Sequence, residues 1–292
     1  MINIMLYFPI INPIIFQPLF EKIPATAEPF QGRAQVFPSG VEVQIQFYQD
    51  REWIIMPKVT IEYDDGTRKR TYPSLQTGAT LTNSKGQTFY YMTVTCTLPV
   101  SRTFRLWVED YSSVHAVSGC ITTLNDMTGY CKLSFGGKGM MFDACMSNED
   151  FIFRPTVYVK GGFFTSGFSP VIEGEEFIDG NRVSRYLSAW PAITRDFIIG
   201  GPQGVDNRLA AMLNVAFCLP SIEIDGQAYV RYAGAELKSL GNKSLPCRAW
   251  SITLQHADGD YSTYPLDTVS GVLMDASGRY LVDAIGQWIQ TN

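Results

Sequence analysis

Residues 41–47 read Val-Glu-Val-Gln-Ile-Gln-Phe, and this stretch decides the fold. Apolar and polar side chains alternate along it with a period of two, which is typical of a strand with one buried face. The run Val59–Tyr63 repeats the alternation and leads into Asp64-Asp65-Gly66, a hairpin turn signal. The sequence therefore predicts antiparallel strands joined by short turns.

Further strand signals follow along the first half of the chain. They lie in Ala79–Thr82, Gln87–Leu98, Phe104–Val108, Val114–Ile121, Tyr130–Phe135 and Phe151–Lys160. Short strands at spacings of roughly 8–15 residues indicate an antiparallel sandwich or barrel.

One helix is predicted, near residues 206–217. Asp206 or Asn207 is suited to cap it, and Pro220 ends it. Leu209, Met212, Leu213 and Phe217 recur at helical spacing and form one apolar stripe. Strand signals surround this helix, in Asp196–Ile199, Ser221–Ile224, Gln227–Tyr232 and Arg248–Gln255.

These patterns predict a mainly β fold: two antiparallel β-sandwich or barrel-like domains, with one short helix in the second. We place an extended apolar N-terminal arm at residues 1–30, a β domain at 31–165, and a second β-rich domain at 166–292. Residues 163–195 are rich in Gly, Ser and Pro, and we interpret them as a long irregular loop between the domains. Residues 280–290 fit a short helix or a strand.

The N-terminal arm carries the predicted subunit contacts. Residues 1–20 have no charged side chain, and Pro9, Pro13 and Pro18 favour extended backbone over a membrane-spanning helix. The arm either packs on its own domain or lies on a neighbouring subunit. In the second case, deleting residues 1–20 weakens assembly and leaves the domains folded. The interface candidates are Ile4, Leu6, Phe8, Ile14, Ile15, Phe16 and Phe20.

Charge argues against nucleic-acid recognition. The chain has 292 residues, a net charge of −5 and 17% charged residues, against about a quarter in typical proteins. Its densest basic cluster, Arg68-Lys69-Arg70, fits a solvated strand face and is no broad basic surface. Six cysteines include no Cys-x-x-Cys pair, and we predict that all six are reduced thiols.

No catalytic motif, metal site or cofactor site is predicted. His115 and His256 lack zinc-ligand spacing, and no Gly-x-Ser-x-Gly motif is present. The run Gly200–Gly204 precedes the helix but has no phosphate-loop lysine, so we interpret it as a tight turn. The run Asp258–Asp260 lacks the further ligands of a calcium loop and fits a polar hairpin turn.

Two other groups of residues suggest alternative functions. Glu173, Glu175, Glu176 and Asp179 lie within the predicted loop, where they fit solvent-facing acids or the carboxylate pair of a glycan hydrolase. The aromatic residues Phe89-Tyr90-Tyr91, Phe163-Phe164, Tyr261 and Tyr264 fit a core or subunit interface, or a sugar-stacking surface.

A series of short motifs gives a resemblance over about a third of the chain. The motifs are Tyr158–Phe163, Phe197–Val205, Leu209-Ala210, Leu213-Asn214, Ile222–Gly226, Tyr229–Arg231, Leu245-Pro246 and Trp250–Gln255. In this order they resemble a group of uncharacterised tail- or virion-associated proteins from phages and prophages of Bacteroidetes bacteria. The resemblance implies virion structure and assigns no residue a role.

The sequence thus leads to one hypothesis with two alternatives. The chain is expected to be a non-enzymatic structural subunit of a phage tail, baseplate or neck, assembled in the host cytoplasm. Its expected partners are itself, as a ring-like homo-oligomer, and other virion proteins. The first alternative is a receptor-binding module for a host surface glycan at a tail tip. The second is a glycan depolymerase.

Overall fold

The computed structural model describes residues 6–18, 34–50, 58–71, 74–109, 114–136, 139–141, 144–148, 151–178, 182, 184–241 and 247–257. The chain divides into two units, Met1–Ala257 and Asp258–Asn292, and every described residue belongs to the first. Several predictions lie outside the described residues: those on Ile4, Phe20, Asp179, Asp258–Asp260, Tyr261, Tyr264 and residues 280–290.

Strands form most of the described chain, which confirms the mainly β prediction. They are β1 Phe16–Pro18, β2 Gln35–Pro38, β3 Glu42–Gln49, β4 Lys58–Tyr63, β5 Arg68–Thr71, β6 Ser74–Thr82, β7 Thr88–Thr97, β8 Thr103–Glu109, β9 Val114–Ser118, β10 Ile121–Leu124, β11 Tyr130–Gly136, β12 Gly139–Met141, β13 Cys145–Ser147, β14 Thr156–Ile178, β15 Ser184–Ile199, β16 Val205–Asp206, β17 Ser221–Ile224, β18 Gln227–Arg231, β19 Lys238–Leu240 and β20 Cys247–His256. A 3₁₀ turn, Gly201–Gln203, precedes helix α1, Asn207–Ala216.

The first half forms a β-sandwich. In one sheet, β5, β4 and β8 lie side by side, and β9 and β10 follow each other along the far edge of β8. Strands β1 and β2 extend this sheet beyond β9 and β10. The other sheet has the order β3-β7-β6. Ile45, Phe47 and Val94 from the second sheet meet Phe104 and Leu106 from the first in one buried cluster.

The second half closes into an antiparallel barrel. Strand β11 pairs with β14, β14 with β15, and β15 with β20. Strand β20 then pairs with β18, β18 with β17, and β17 returns to β11. Apolar residues at alternate positions, such as Leu133, Val157, Phe197, Ile224 and Ile252, fill its core.

Helix α1 packs against this barrel core. The Asp206 carboxylate accepts a hydrogen bond from the Arg208 N–H at 2.7 Å, so Asp206 is the N-cap as predicted. Leu209, Met212 and Leu213 are buried on the side of the helix that faces the barrel strands. The predicted helix is therefore confirmed and spans Asn207–Ala216.

The interpretation of residues 163–195 as an irregular loop is wrong. Residues 163–178 belong to β14 and residues 184–195 to β15, the two strands pair as one long hairpin, and residue 165 lies inside β14. The register shifts between the pairs Phe163–Phe197 and Phe168–Arg195. Residues 164–167 therefore bulge opposite Asp196, and bulges of this kind bend a strand.

The described part of the N-terminal arm and the connecting segment, residues 144–148 and 151–153, join the sandwich and the barrel. Leu6 and Ile14 belong to the sandwich core, whereas Ile11 between them belongs to the barrel core. Cys145 and Phe153 likewise pack in the barrel core. Because the two halves share these segments, they form one unit. No helix among the described residues is long and apolar enough to cross a membrane.

Candidate assembly interface

The two histidines lie in different halves of the described chain. His115 lies on β9 in the sandwich, and His256 lies on β20 in the barrel. The His256 ring packs on Tyr229, with 4.6 Å between the ring centroids. Among the described residues, no group of three or more His, Cys, Asp or Glu side chains is placed to hold a metal ion.

The glycine run before α1 is a tight turn built by close backbone contacts. Gly204 has φ of +71°, and a Cβ there would lie 2.5 Å from the Arg248 backbone nitrogen. A Cβ at Gly200 would lie 2.8 Å from Gly204. A cavity of about 290 Å³ beside the turn is lined by Lys160 and Asp206 among others. Since the Asp206 carboxylate already caps the helix, the turn offers an anion little of the positive end of α1.

The acidic residues lie on a strand and not in a loop. Glu173 pairs with Trp190, Glu175 with Ser188, and Glu176 with Tyr186. The register shifts between Glu175 and Glu176, which marks a second irregularity in β14. Glu173, Glu175 and Glu176 are therefore part of the long hairpin and not of a loop.

The aromatic run in β7 contributes to a small core on the outer face of the sheet β3-β7-β6. The Tyr48 ring stacks on Tyr91 at 5.1 Å and on Tyr7 at 5.3 Å, and Phe89 meets it edge-on at 5.7 Å. Phe151 from the connecting segment is buried in the same cluster.

The predicted sugar-stacking rings whose side chains the structure describes are Phe89, Tyr90, Tyr91 and Phe163, and each is buried or half-buried. Phe163 stacks on Tyr229, with 4.9 Å between centroids, at the edge of the barrel core. Arg68 covers the Trp107 ring at 4.8 Å. Among the residues whose side chains are described, every Phe, Tyr and Trp is buried or half-buried.

The described arm residues pack on this chain itself. Leu6 and Ile14 are buried in the sandwich core, so they are not on the surface of the folded chain. Phe8, Ile15 and Phe16 are half-buried. The backbone of Tyr7 exchanges two hydrogen bonds of 2.9 Å with Tyr48, and β1 pairs with β9. A role for the arm between subunits stays a prediction.

Deletion of the arm has a different expected result in light of this packing. Removing residues 1–20 takes Leu6, Ile11 and Ile14 out of two cores. Each lost core side chain costs about 2–5 kcal/mol. We therefore expect the deletion to unfold the chain, and not to leave the domains folded as the sequence suggested.

All six cysteines are free thiols. Burial raises the pKa of Cys96 to about 12 and that of Cys145 to about 11, so both stay protonated at neutral pH. Cys218 is exposed, and the Arg231 Nη1 donates a 3.2 Å hydrogen bond to its sulfur.

The long hairpin continues past the barrel as a two-stranded ribbon. Beyond Phe168, β14 pairs only with β15 among the described residues, as far as Ile178 and Ser184. At about 3.3 Å per residue the ribbon is roughly 30 Å long. Its sequence is rich in apolar residues, and Ile178 near its end is 62% exposed. Two-stranded ribbons are marginally stable alone in water, so this ribbon is a candidate contact with another molecule.

Two prolines decide which edge of the ribbon can accept another strand. Pro170 pairs with Ile193, and Pro191 pairs with Ile172. Proline has no N–H to donate, so both residues must occupy positions whose nitrogens face the outer edges. Pro191 therefore interrupts the outer edge of β15. The outer edge of β14 is free of proline from Val171 to Ile178.

The ribbon is the feature that the sequence analysis missed. Pro170, Gly174 and the irregularity at Glu175 break the alternation of β14. The available signal was Asp179-Gly180, a hairpin dipeptide between two runs that contain Ile, Phe, Tyr and Leu.

Comparison of the chain with family models, curated proteins and solved structures finds no match in any of the three.

Proposed function

We propose that the chain is a structural subunit of a bacteriophage virion, a tail, baseplate or neck component without catalytic activity. It assembles in the host cytoplasm, with copies of itself and with other virion proteins, and its final place is the virion. The observation that carries the proposal is the ribbon beyond Phe168, which leaves the barrel with no third strand among the described residues.

The resemblance to phage proteins adds support. The stretch from Val157 to Gln255 that carries it contains most of the barrel, the helix α1 and the whole ribbon. Two of its motifs lie in α1, and others lie in strands that pair with one another, such as Phe197–Ile199 with Trp250–Ile252. The resemblance thus concerns parts that form one folded body.

The native mass of the full-length chain tests the proposal. The chain has a mass of 32.6 kDa, and a discrete multiple of it in native mass spectrometry would support an assembling subunit. Peptide mass spectrometry of purified particles, from a phage that encodes the chain, should detect it in several copies per particle. Its absence from particles would contradict the virion role. If the chain is a monomer and binds host surface glycan, the receptor-binding module is favoured. If the chain shortens that glycan, the depolymerase is favoured.

A further inference from the structure

Strand β5 is an edge strand marked by positive charge. Among the described residues it pairs only with β4. Arg68, Lys69 and Arg70 occupy three of its four positions, and all three are exposed. An open strand edge is a template for another strand, and a row of cations on it repels most candidates. A strand that carries acidic residues is the exception.

The chain neutralises these cations only in part. The Arg68 Nη2 lies 2.8 Å from a Glu62 carboxylate oxygen, and Arg70 lies 3.9 Å from Glu109. Lys69 has no ion-pair partner among the described residues. A positive charge therefore remains at the open edge.

The ribbon supplies an acidic strand of matching length. Glu173, Glu175 and Glu176 fall within four consecutive residues of β14, and β5 is four residues long. These acids lie on the strand whose outer edge is free of proline beyond Pro170. The position of Pro170 thus restricts strand addition on β14 to the part of the ribbon that carries the acids.

We infer that residues 173–176 of the ribbon add as a strand to the outer edge of β5 in a second copy of this chain, so that a segment with three glutamates lies along a strand with three cations. The inference rests on the proposed function, for which it names a contact between subunits. The two surfaces are different parts of the chain, so the contact is head-to-tail. Such contacts generate a ring when their rotation closes. Backbone hydrogen bonds supply affinity, and the charges select the partner.

Charge reversal tests this contact by native mass spectrometry and light scattering. One variant carries Glu173→Lys and Glu175→Lys, and another carries Lys69→Glu and Arg70→Glu. Each double variant, on its own, places like charges together. The native mass should therefore fall from that of the oligomer to that of the monomer. Combining all four changes in one chain, or mixing the two variants in equal amounts, restores opposite charges and should restore the oligomer.

The controls separate this contact from general effects of charge and folding. Glu236→Lys and Lys85→Glu change exposed residues that lie on neither strand, and both should keep the oligomer. Each variant is used only if its Tm stays within a few degrees of the parent. Where a double change lowers Tm further, the single changes Glu175→Lys and Lys69→Glu replace it.

The outcomes are distinct. Loss of the oligomer in each reversal, with recovery on recombination, supports the inference. An oligomer that survives both reversals overturns it and leaves the proposed function standing. Loss without recovery on recombination also overturns it. A parent chain that stays monomeric overturns the inference, and the composition of purified particles then decides the proposed function separately.

Discussion

Gln46 should be the most sensitive polar side chain in the joint between the sandwich and the barrel. It is fully buried on β3, and its Oε1 accepts the Met146 N–H at 2.7 Å while its Nε2 donates to the Met146 carbonyl at 2.8 Å. The side-chain amide thus pairs with a peptide group as a neighbouring strand would. Its own backbone N–H donates to the Asn12 Oδ1 at 2.8 Å, so one residue holds the arm, β3 and β13.

Replacing this amide by an apolar group of similar size isolates its contribution. In Gln46→Leu, the N–H and carbonyl of Met146 lose their partners, and Met146 is only 1% exposed. An unsatisfied buried polar group costs about 1–3 kcal/mol, partly offset by the extra apolar burial. We expect a net loss of about 2–4 kcal/mol in the free energy of unfolding. For a chain of 292 residues that lowers Tm by roughly 3–7 °C.

The control is Gln44→Leu, two residues away on the same strand. Gln44 is half-buried, and its Oε1 accepts only a long, 3.4 Å hydrogen bond from Arg154. We expect it to change the free energy of unfolding by less than about 1 kcal/mol. Thermal unfolding followed by circular dichroism measures both variants. Equal midpoints for the two would refute the reasoning that the Gln46 pair stabilises the joint.

Gln46→Glu tests the hydrogen bond that the Gln46 Nε2 donates to the Met146 carbonyl. A glutamate side chain has nearly the shape of glutamine, but its carboxylate cannot donate. Burial raises the pKa of the introduced carboxyl above its unfolded value of about 4.3. The folded state therefore favours the protonated form, which can both donate and accept. The deficit in Tm relative to the parent should be small near pH 5 and grow towards pH 8. A deficit that is constant with pH would contradict this account.

Two further predictions concern the glycine turn and the thiols. Gly204→Ala should lower Tm far more than Gly226→Ala: both glycines have positive φ, but a Cβ at residue 204 would lie 2.5 Å from the Arg248 nitrogen, whereas the space around Gly226 is open. We expect the two losses in the free energy of unfolding, measured by chemical unfolding, to differ by more than about 2 kcal/mol. Equal losses would count against the clash. Iodoacetamide at pH 8 should modify exposed Cys218 in the folded chain and leave Cys96 intact, since burial raises the pKa of Cys96 to about 12. Peptide mass spectrometry measures the order in which the two thiols are labelled. Early labelling of Cys96 would contradict its burial.

Local patterns were sufficient to predict the strands in which apolar and polar residues alternate and that end in a short turn. The alternation in residues 41–47 appears in β3, where Val43, Ile45 and Phe47 are buried, but the alternation did not indicate that Gln46 on the opposite face is buried as well. The helix was equally readable, because its cap and its apolar stripe are both local in sequence. In these places the nearest neighbours along the chain determine the structure.

Long-range pairing could not be read in the same way. The barrel closes because β15 pairs with β20, in a register that joins Thr194 to Gln255, and no local pattern specifies a partner so distant. The arm posed the same problem. Its apolar residues indicate burial, but nothing local says that Ile11 enters the barrel core and Ile14 the sandwich core.

The position of these shared segments also bears on assembly. The arm joins both cores, and the connecting segment packs Phe153 into the barrel and Phe151 into the aromatic cluster. Displacing either segment to reach a neighbour would expose core side chains, at about 2–5 kcal/mol for each large one. The ribbon beyond Phe168 and the open edge of β5 have no such cost, because among the described residues each pairs with one strand only. The proposed contact between these strand edges would therefore leave the shared core folded.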